Sequence, residues 1–211
     1  MKVLVLSDVH GNLPALEFVL RVEKSVDLVI SLGDVVNYGP WSNECVDLMD
    51  SLDNKILIMG NHEEAFISGQ YSGSNQIAKT FFETCYPGFT RKEKIVDYKK
   101  SYSFNDCYFV HTLNNDYVFP DTEIQISCNT FIGHSHRLFS KQINDYTLVN
   151  AGSVGQNRIN IDELNYVLVD TENNSIDLVK KMFSADKLIN EMRVQQYPET
   201  CINYILSKRH N

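Results

Sequence analysis

The sequence predicts an α/β protein whose first half forms a parallel sheet. Two observations carry this. Three short apolar runs alternate with amphipathic stretches, and each run stops at a cluster of Gly, Asp, Asn or His. A third observation, closely spaced strand-like segments in the second half, adds more β-structure to the same unit.

Val3–Leu6 reads as a strand buried on both faces, ending at Ser7-Asp8. Asn12 caps a helix with Pro14 in its first turn, where proline is tolerated. Leu13, Leu16, Phe18, Val19, Leu20 and Val22 give that helix a broad apolar face. Asp27–Leu32 is the second strand, closed by Gly33-Asp34, and Asn37–Pro40 is a loop. Ser42 caps the next helix, whose inner side carries Cys45, Val46, Leu48 and Met49. Lys55–Met59 is the third strand, ended by Gly60-Asn61-His62. This rhythm implies right-handed crossovers. Residues 63–100 read as helical, with a mobile loop at the Gly/Ser-rich Ser68–Ser74. Strands are expected near 101–105, 107–112, 129–133, 138–143, 146–150, 165–170 and 175–180. Asn173-Asn174 turns between the last two, and 184–208 is helical with a break near Pro198. No linker or repeat interrupts the chain, so residues 1–211 are expected to form a single domain.

Apolar content of 43% and charged content of 22% are those of an ordinary globular protein. No apolar run is long enough to span a membrane, and the first one ends too soon for a secretory signal, so the protein is expected to be cytoplasmic. A net charge of −8 disfavours stable nucleic-acid binding. Lys92, Lys94, Lys99 and Lys100 are best read as a solvated face. Cys45, Cys85, Cys107, Cys128 and Cys201 are odd in number and lack C-x-x-C spacing, which argues against a disulfide framework or zinc ribbon.

Five of the six histidines fall in the clusters Asp8-Val9-His10-Gly11, Gly60-Asn61-His62-Glu63, His111 and Gly133-His134-Ser135-His136; Gly33-Asp34 adds a carboxylate. These are metal-ligating side chains at strand ends, where α/β sheets bind ligands. Asp8 and His10 are two apart, so on an extended chain both aim at one metal, and His134 and His136 have the same spacing. Gly11, Gly33, Gly60 and Gly133 suit sharp turns or close approaches, and Asp34 can bridge two cations through its two oxygens. His210, beside the C-terminus, is expected to be uninvolved.

The order DxH, GD, GNHE, H, GHxH resembles the calcineurin-like metallophosphoesterase superfamily over roughly residues 1–170. Asn150–Gln156 is similar to the small prokaryotic phosphodiesterase-like branch. The resemblance implies a four-layer α/β sandwich, with two mixed sheets face to face and helices outside. It implies one metal on Asp8, His10, Asp34 and His136, and a second on Asp34, Asn61, His111 and His134. Two divalent ions about 3.5–4 Å apart would activate a bridging hydroxide for attack on phosphorus. Mn²⁺ is the foremost choice, with Fe, Ni, Co or Zn as alternatives, since mixed N/O ligands do not choose among them. His62 would be the catalytic residue, protonating the leaving oxygen or stabilising its charge.

Protein phosphatases of the superfamily carry Asp-Arg where this chain has Asn37-Tyr38, which counts against a phosphoprotein substrate. After His111 the chain has Thr112-Leu113 where the small branch often has Gly-Ser. Tyr38 and Trp41 are candidates to stack on a base, and Asn37, Arg158 and Arg137 to contact substrate. The expected function is hydrolysis of a small phosphodiester or nucleotide, with dinucleoside polyphosphate hydrolysis as the alternative. A homo-oligomer is compatible with the sequence. A non-catalytic scaffold, as in a retromer subunit of this fold, competes; the complete ligand set and His62 argue against it.

Overall fold

A computed structural model describes residues 1–210. Its first sheet joins β1 (Lys2–Leu6), β2 (Leu28–Ser31), β3 (Lys55–Leu57), β9 (Glu163–Asp170) and β10 (Ser175–Met182) in the order β10-β9-β1-β2-β3. β1, β2 and β3 are parallel, whereas β9 runs antiparallel to β1 and β10 antiparallel to β9. The second sheet joins β4 (Ser101–Phe104), β5 (Cys107–Val110), β6 (Asn129–Ile132), β7 (Leu138–Ile143) and β8 (Tyr146–Ala151) in the order β4-β5-β6-β8-β7. Here β5, β6 and β8 are parallel and the edges β4 and β7 antiparallel.

Alternation along β1 explains how the layers stack. Val3 and Val5 point to one side and pack with Ile30, Ile58, Phe109, Phe131 and Val149, so the two sheets share one apolar interior. Leu4 and Leu6 point to the other side and pack with Leu16, Val19, Val46 and Met49. Burying each such side chain contributes about 1.5–3 kcal/mol. The helices beneath are α1 (Leu13–Val22) and α2 (Ser42–Asp50), followed by α3 (Asn61–Ser68), α4 (Gln76–Cys85) and α5 (Lys92–Ile95). The C-terminal α6 (Asp186–Val194) and α7 (Glu199–Leu206) pack with α4 around Phe81, Met192 and Ile202. Pro198 stands at the start of α7. The outer side of the second sheet is covered by the 111–128 connection, whose Val118 packs on Ile132, Phe139 and Leu148.

Asn12 caps α1 by accepting from Ala15 N at 3.3 Å. Ser42 does not cap α2, as the sequence suggested; its Oγ accepts from Asn37 N at 3.0 Å and holds the loop after Asp34. Lys94 pairs with Asp47 and Asp50, and Lys100 with Glu64, so neighbouring carboxylates neutralise part of the lysine-rich segment. Among the described residues, no helix is long and apolar enough to cross a membrane.

Candidate metal centre

The predicted ligands follow the carboxyl ends of five strands. Asp8 and His10 follow β1, Asp34 follows β2, and Asn61 and His62 open α3 beyond β3. His111 follows β5, and His134 and His136 follow β6. The extended-chain reading of the two-residue spacings is corrected. Asp8, His10, Asp34, His134 and His136 all have left-handed backbones, with φ of 54, 48, 56, 65 and 58°. Such φ values are uncommon outside glycine, and their concentration here marks a backbone held in place by its surroundings. Asp8 and His10 share one group with this backbone, whereas His134 and His136 part into different groups, the division that the resemblance implied and the spacing did not.

The first group is Asp8, His10 and His136. His136 Nε2 is 3.1 Å from Asp8 Oδ1 and 3.2 Å from His10 Nε2. The second group is Asp34, His111 and His134. His111 Nε2 is 3.3 Å from Asp34 Oδ2, 3.1 Å from His134 Nδ1 and 3.1 Å from Asn61 Oδ1. Asp34 links the groups, because its Oδ2 is also 3.9 Å from His10 Nε2. Asp34 Oδ1 accepts from His62 N at 2.9 Å, and Oδ2 is the oxygen that lies near histidines of both groups.

Backbone carbonyls fix the imidazole tautomers. His10 Nδ1 donates to Val36 O at 3.1 Å, His111 Nδ1 to Leu32 O at 2.9 Å, and His136 Nδ1 to Gln156 O. A carbonyl only accepts, so each Nδ1 carries a proton and Nε2 is the atom that each ring presents inward for ligation. The Nε2 atoms of His10 and His136 thus meet head-on, and Asp8 Oδ1 is buried without a hydrogen-bond partner. Converging imidazole nitrogens and an orphaned carboxylate oxygen are what a divalent cation satisfies, so the donor set fits metal.

Charge reinforces this picture. Burial opposes ionisation of Asp8, but His136 and His10 override it and hold its pKa well below the usual range. Asp34 is likewise lowered against its burial, by His111 and His62. Burial disfavours a charged His111, yet Asp34 raises its pKa to about 9. Burial lowers His134 to about 4, helped by His111, and lowers His136 to about 4 against the pull of Asp8.

His62 lies in the first turn of α3 with Nε2 3.9 Å from Asp34 Oδ2, near enough to form a third acid–histidine group with His10 and Asp34. Its Nδ1 is 2.9 Å from Asn37 Nδ2. With Nδ2 as the facing atom the amide can only donate, which would leave the ring proton on Nε2, aimed at the site, and leaves Asn37 Oδ1 buried without a partner. Burial pushes the His62 pKa down to about 3, so the ring is neutral at neutral pH.

Glu63 is a structural centrepiece the sequence reading passed over. Its carboxylate accepts from Asp34 N at 2.7 Å, Val35 N at 2.8 Å, Val36 N at 3.1 Å and Gly60 N at 2.8 Å. Burial and the Asp34 charge raise its pKa to about 7 against the Gly60, Asp34 and Val36 donors. The signal was available: a Glu three residues after a helix N-cap is a capping-box position. Two glycines let the loops close in. A Cβ at Gly60 would lie 2.2 Å from Asp34 Oδ1, and one at Gly133 1.9 Å from Ser7 Oγ. Asn150–Gln156 acts as a buttress: Asn150 Nδ2 donates to Gly133 O at 2.7 Å and Ser153 Oγ to Asp8 O at 2.7 Å.

The substrate-side expectations divide. Asn37 reaches the site through His62. Tyr38 is 3% exposed and packs edge-on against His10 and on Phe81, so it is a wall and not a stacking platform. Trp41 is half-buried against the helical cores. Arg158 holds its guanidinium 5.3 Å from the Tyr117 ring, with Nε buried and unpartnered, while Arg137 is exposed. His210 is exposed and bonds Ile159 O, away from the site.

Residues 1–191 match the family described as calcineurin-like phosphoesterase. The chain belongs to that family. This calcineurin-like phosphoesterase is therefore a metal-dependent hydrolase of phosphoric esters, with His and Asp residues positioned to bind metal. It is 27% identical over 229 residues to an uncharacterised protein of Methanocaldococcus jannaschii, covering 92% of this chain and 93% of the relative. Its fold is similar to that of a metallophosphoesterase from Sphaerobacter thermophilus, with a TM-score of 0.81, 23% identity and 99% of each chain covered. A hypothetical protein from Pyrococcus horikoshii OT3 shares the fold at a TM-score of 0.76, with 14% identity over 97% of each chain.

Proposed function

We propose that this phosphoesterase is dinuclear and cleaves a small phosphodiester or nucleotide. Asp8, His10, Asp34 and His136 would hold one divalent ion; Asp34, Asn61, His111 and His134 would hold the other. Mn²⁺ is the first choice. When bound, the ions supply Lewis acidity toward the phosphoryl oxygens and bring the pKa of water to near neutral. The observation that carries this reading is Asp34 Oδ2, which faces both histidine groups from one buried position.

The chain's own residues do the rest. Glu63 clamps the 34–36 backbone, so Asp34 needs no reorganisation to serve both sites. Asn37 keeps the His62 proton on Nε2, from which it donates a hydrogen bond to the leaving oxygen and stabilises the charge developing there. Arg158, lacking a carboxylate partner, offers its guanidinium to a phosphoryl oxygen. The Asn37-Tyr38 pair supplies neither the charge nor the arginine of phosphoprotein phosphatases, which favours a small substrate.

Hydrolysis of bis(p-nitrophenyl) phosphate tests the reading, with metal-free protein as control. Turnover should require Mn²⁺ or a similar ion, and His62→Ala should retain metal but lose about 10²–10⁴-fold in kcat. Unchanged turnover in His62→Ala would remove His62 from the chemistry. No turnover with Mn²⁺, Ni²⁺, Co²⁺ or Zn²⁺ would count against a diesterase.

A further inference from the structure

We propose that the cleft beside the metal centre is a nucleobase subsite, so that the scissile phosphodiester carries a nucleoside. This rests on the phosphoesterase reading above and names its substrate class. The cleft has a volume of about 780 Å³, and Asn61 and His134 line it where it meets the metal groups. That volume suits a nucleotide-sized ligand.

Two aromatic rings line the same cleft, Tyr71 and Tyr117. Each is tied to a site histidine. Tyr71 lies near-parallel to His62, with centroids 6.1 Å apart and planes 21° apart. Tyr117 lies near-parallel to His134, at 4.2 Å and 16°. One ring thus stands beside the leaving-group donor and the other beside a metal ligand. Tyr117 is 45% exposed while the stack on His134 fixes its orientation, so it presents aromatic surface to the cleft. An ester arm leaving the centre along this cleft passes aromatic surface, and a base gains stacking there that an alkyl or sugar arm does not.

The outer wall is polar. Gln70, Ser72 and Ser74 line it, and Asn75 caps α4 with Oδ1, which leaves its amide N–H groups for a base edge. Glu64 also lines the cleft, but Lys100 pairs with its carboxylate and limits repulsion of an anionic substrate.

The test is calorimetric binding of AMP and of ribose 5-phosphate to the Mn²⁺-loaded protein, each ligand being a monoester of the kind diester cleavage releases. AMP should bind about tenfold tighter or more. The ratio of the two affinities is the readout. Tyr71→Leu and Tyr117→Leu should each bring it toward one, while Tyr71→Phe, which keeps the ring, should preserve it. Equal affinities in the wild-type protein, or a ratio untouched by both Leu variants, would overturn the subsite while leaving the phosphoesterase reading standing. Failure of the metal-loaded protein to bind AMP would overturn the subsite, whereas the diesterase reading stands or falls separately, on metal-dependent turnover of bis(p-nitrophenyl) phosphate.

Discussion

Replacing Asn37 with Asp puts a carboxylate where an amide now sits 2.9 Å from His62 Nδ1. The amide donates to Nδ1, whereas a carboxylate can only accept, so the variant must move a proton onto Nδ1. At an effective dielectric constant of about 20, unit charges this close attract by roughly 6 kcal/mol. Burial of the new carboxylate offsets much of that, leaving a rise of about 1–3 pKa units for the imidazole. In the metal-free protein the His62 pKa should move from about 3 into the range of about 4–6. The assay is an NMR titration of His62 ring resonances, which reports tautomer and pKa together. The wild-type ring should carry its proton on Nε2 and the variant's on Nδ1. A wild-type ring protonated on Nδ1, or a variant pKa that stays put or falls, would refute this account of Asn37.

Asp34→Asn should weaken both metals together, because one oxygen faces both groups; loss of one ion alone in a metal titration would contradict the shared role. His111 is charged at neutral pH in the metal-free protein, with a pKa of about 9, and must lose its proton to ligate, whereas His134 and His136, at about 4, are already neutral. Metal loading at pH 7 should therefore release about one proton from these three histidines, measurable from the buffer dependence of the calorimetric enthalpy, and no release would count against His111 as a ligand. Asp162 is held low by Arg209, whose Nε is 2.6 Å from Oδ2. A lowered carboxylate pKa gives stability that is present above about pH 4 and is lost as pH falls through the folded-state value. Arg209→Ala should thus destabilise the protein at pH 7 in urea titrations and cost much less near pH 2; an equal loss at both would assign Arg209 a packing role.

The parallel strands and their ends were legible because doubly buried strands read as apolar runs and their closing residues repeat one chemistry. Val3–Leu6 and the cluster after it needed no tertiary information. Ligand direction was not legible, since it depends on left-handed backbone at Asp8, His10, Asp34, His134 and His136, and strict alternation assumes the opposite. The division of His134 from His136 was implied by the family resemblance and not by their spacing. Tyr38 and Trp41 looked available for stacking because they sit on a site loop, but α4 and the C-terminal helices close over Tyr38. Tyr71 sits in the Gly/Ser-rich 68–74 loop and Tyr117 in the connection after His111, neither of which carries a ligand signal, and only the folded chain sets them against His62 and His134.

The central claim is a shared two-metal centre, and the most direct measurement is the metal content of protein stripped with chelator, reloaded with Mn²⁺ and freed of excess ion. The account predicts two ions per chain in the wild-type protein and neither tightly held in Asp34→Asn. A single ion per chain in the wild-type, or two that survive Asp34→Asn, would contradict it.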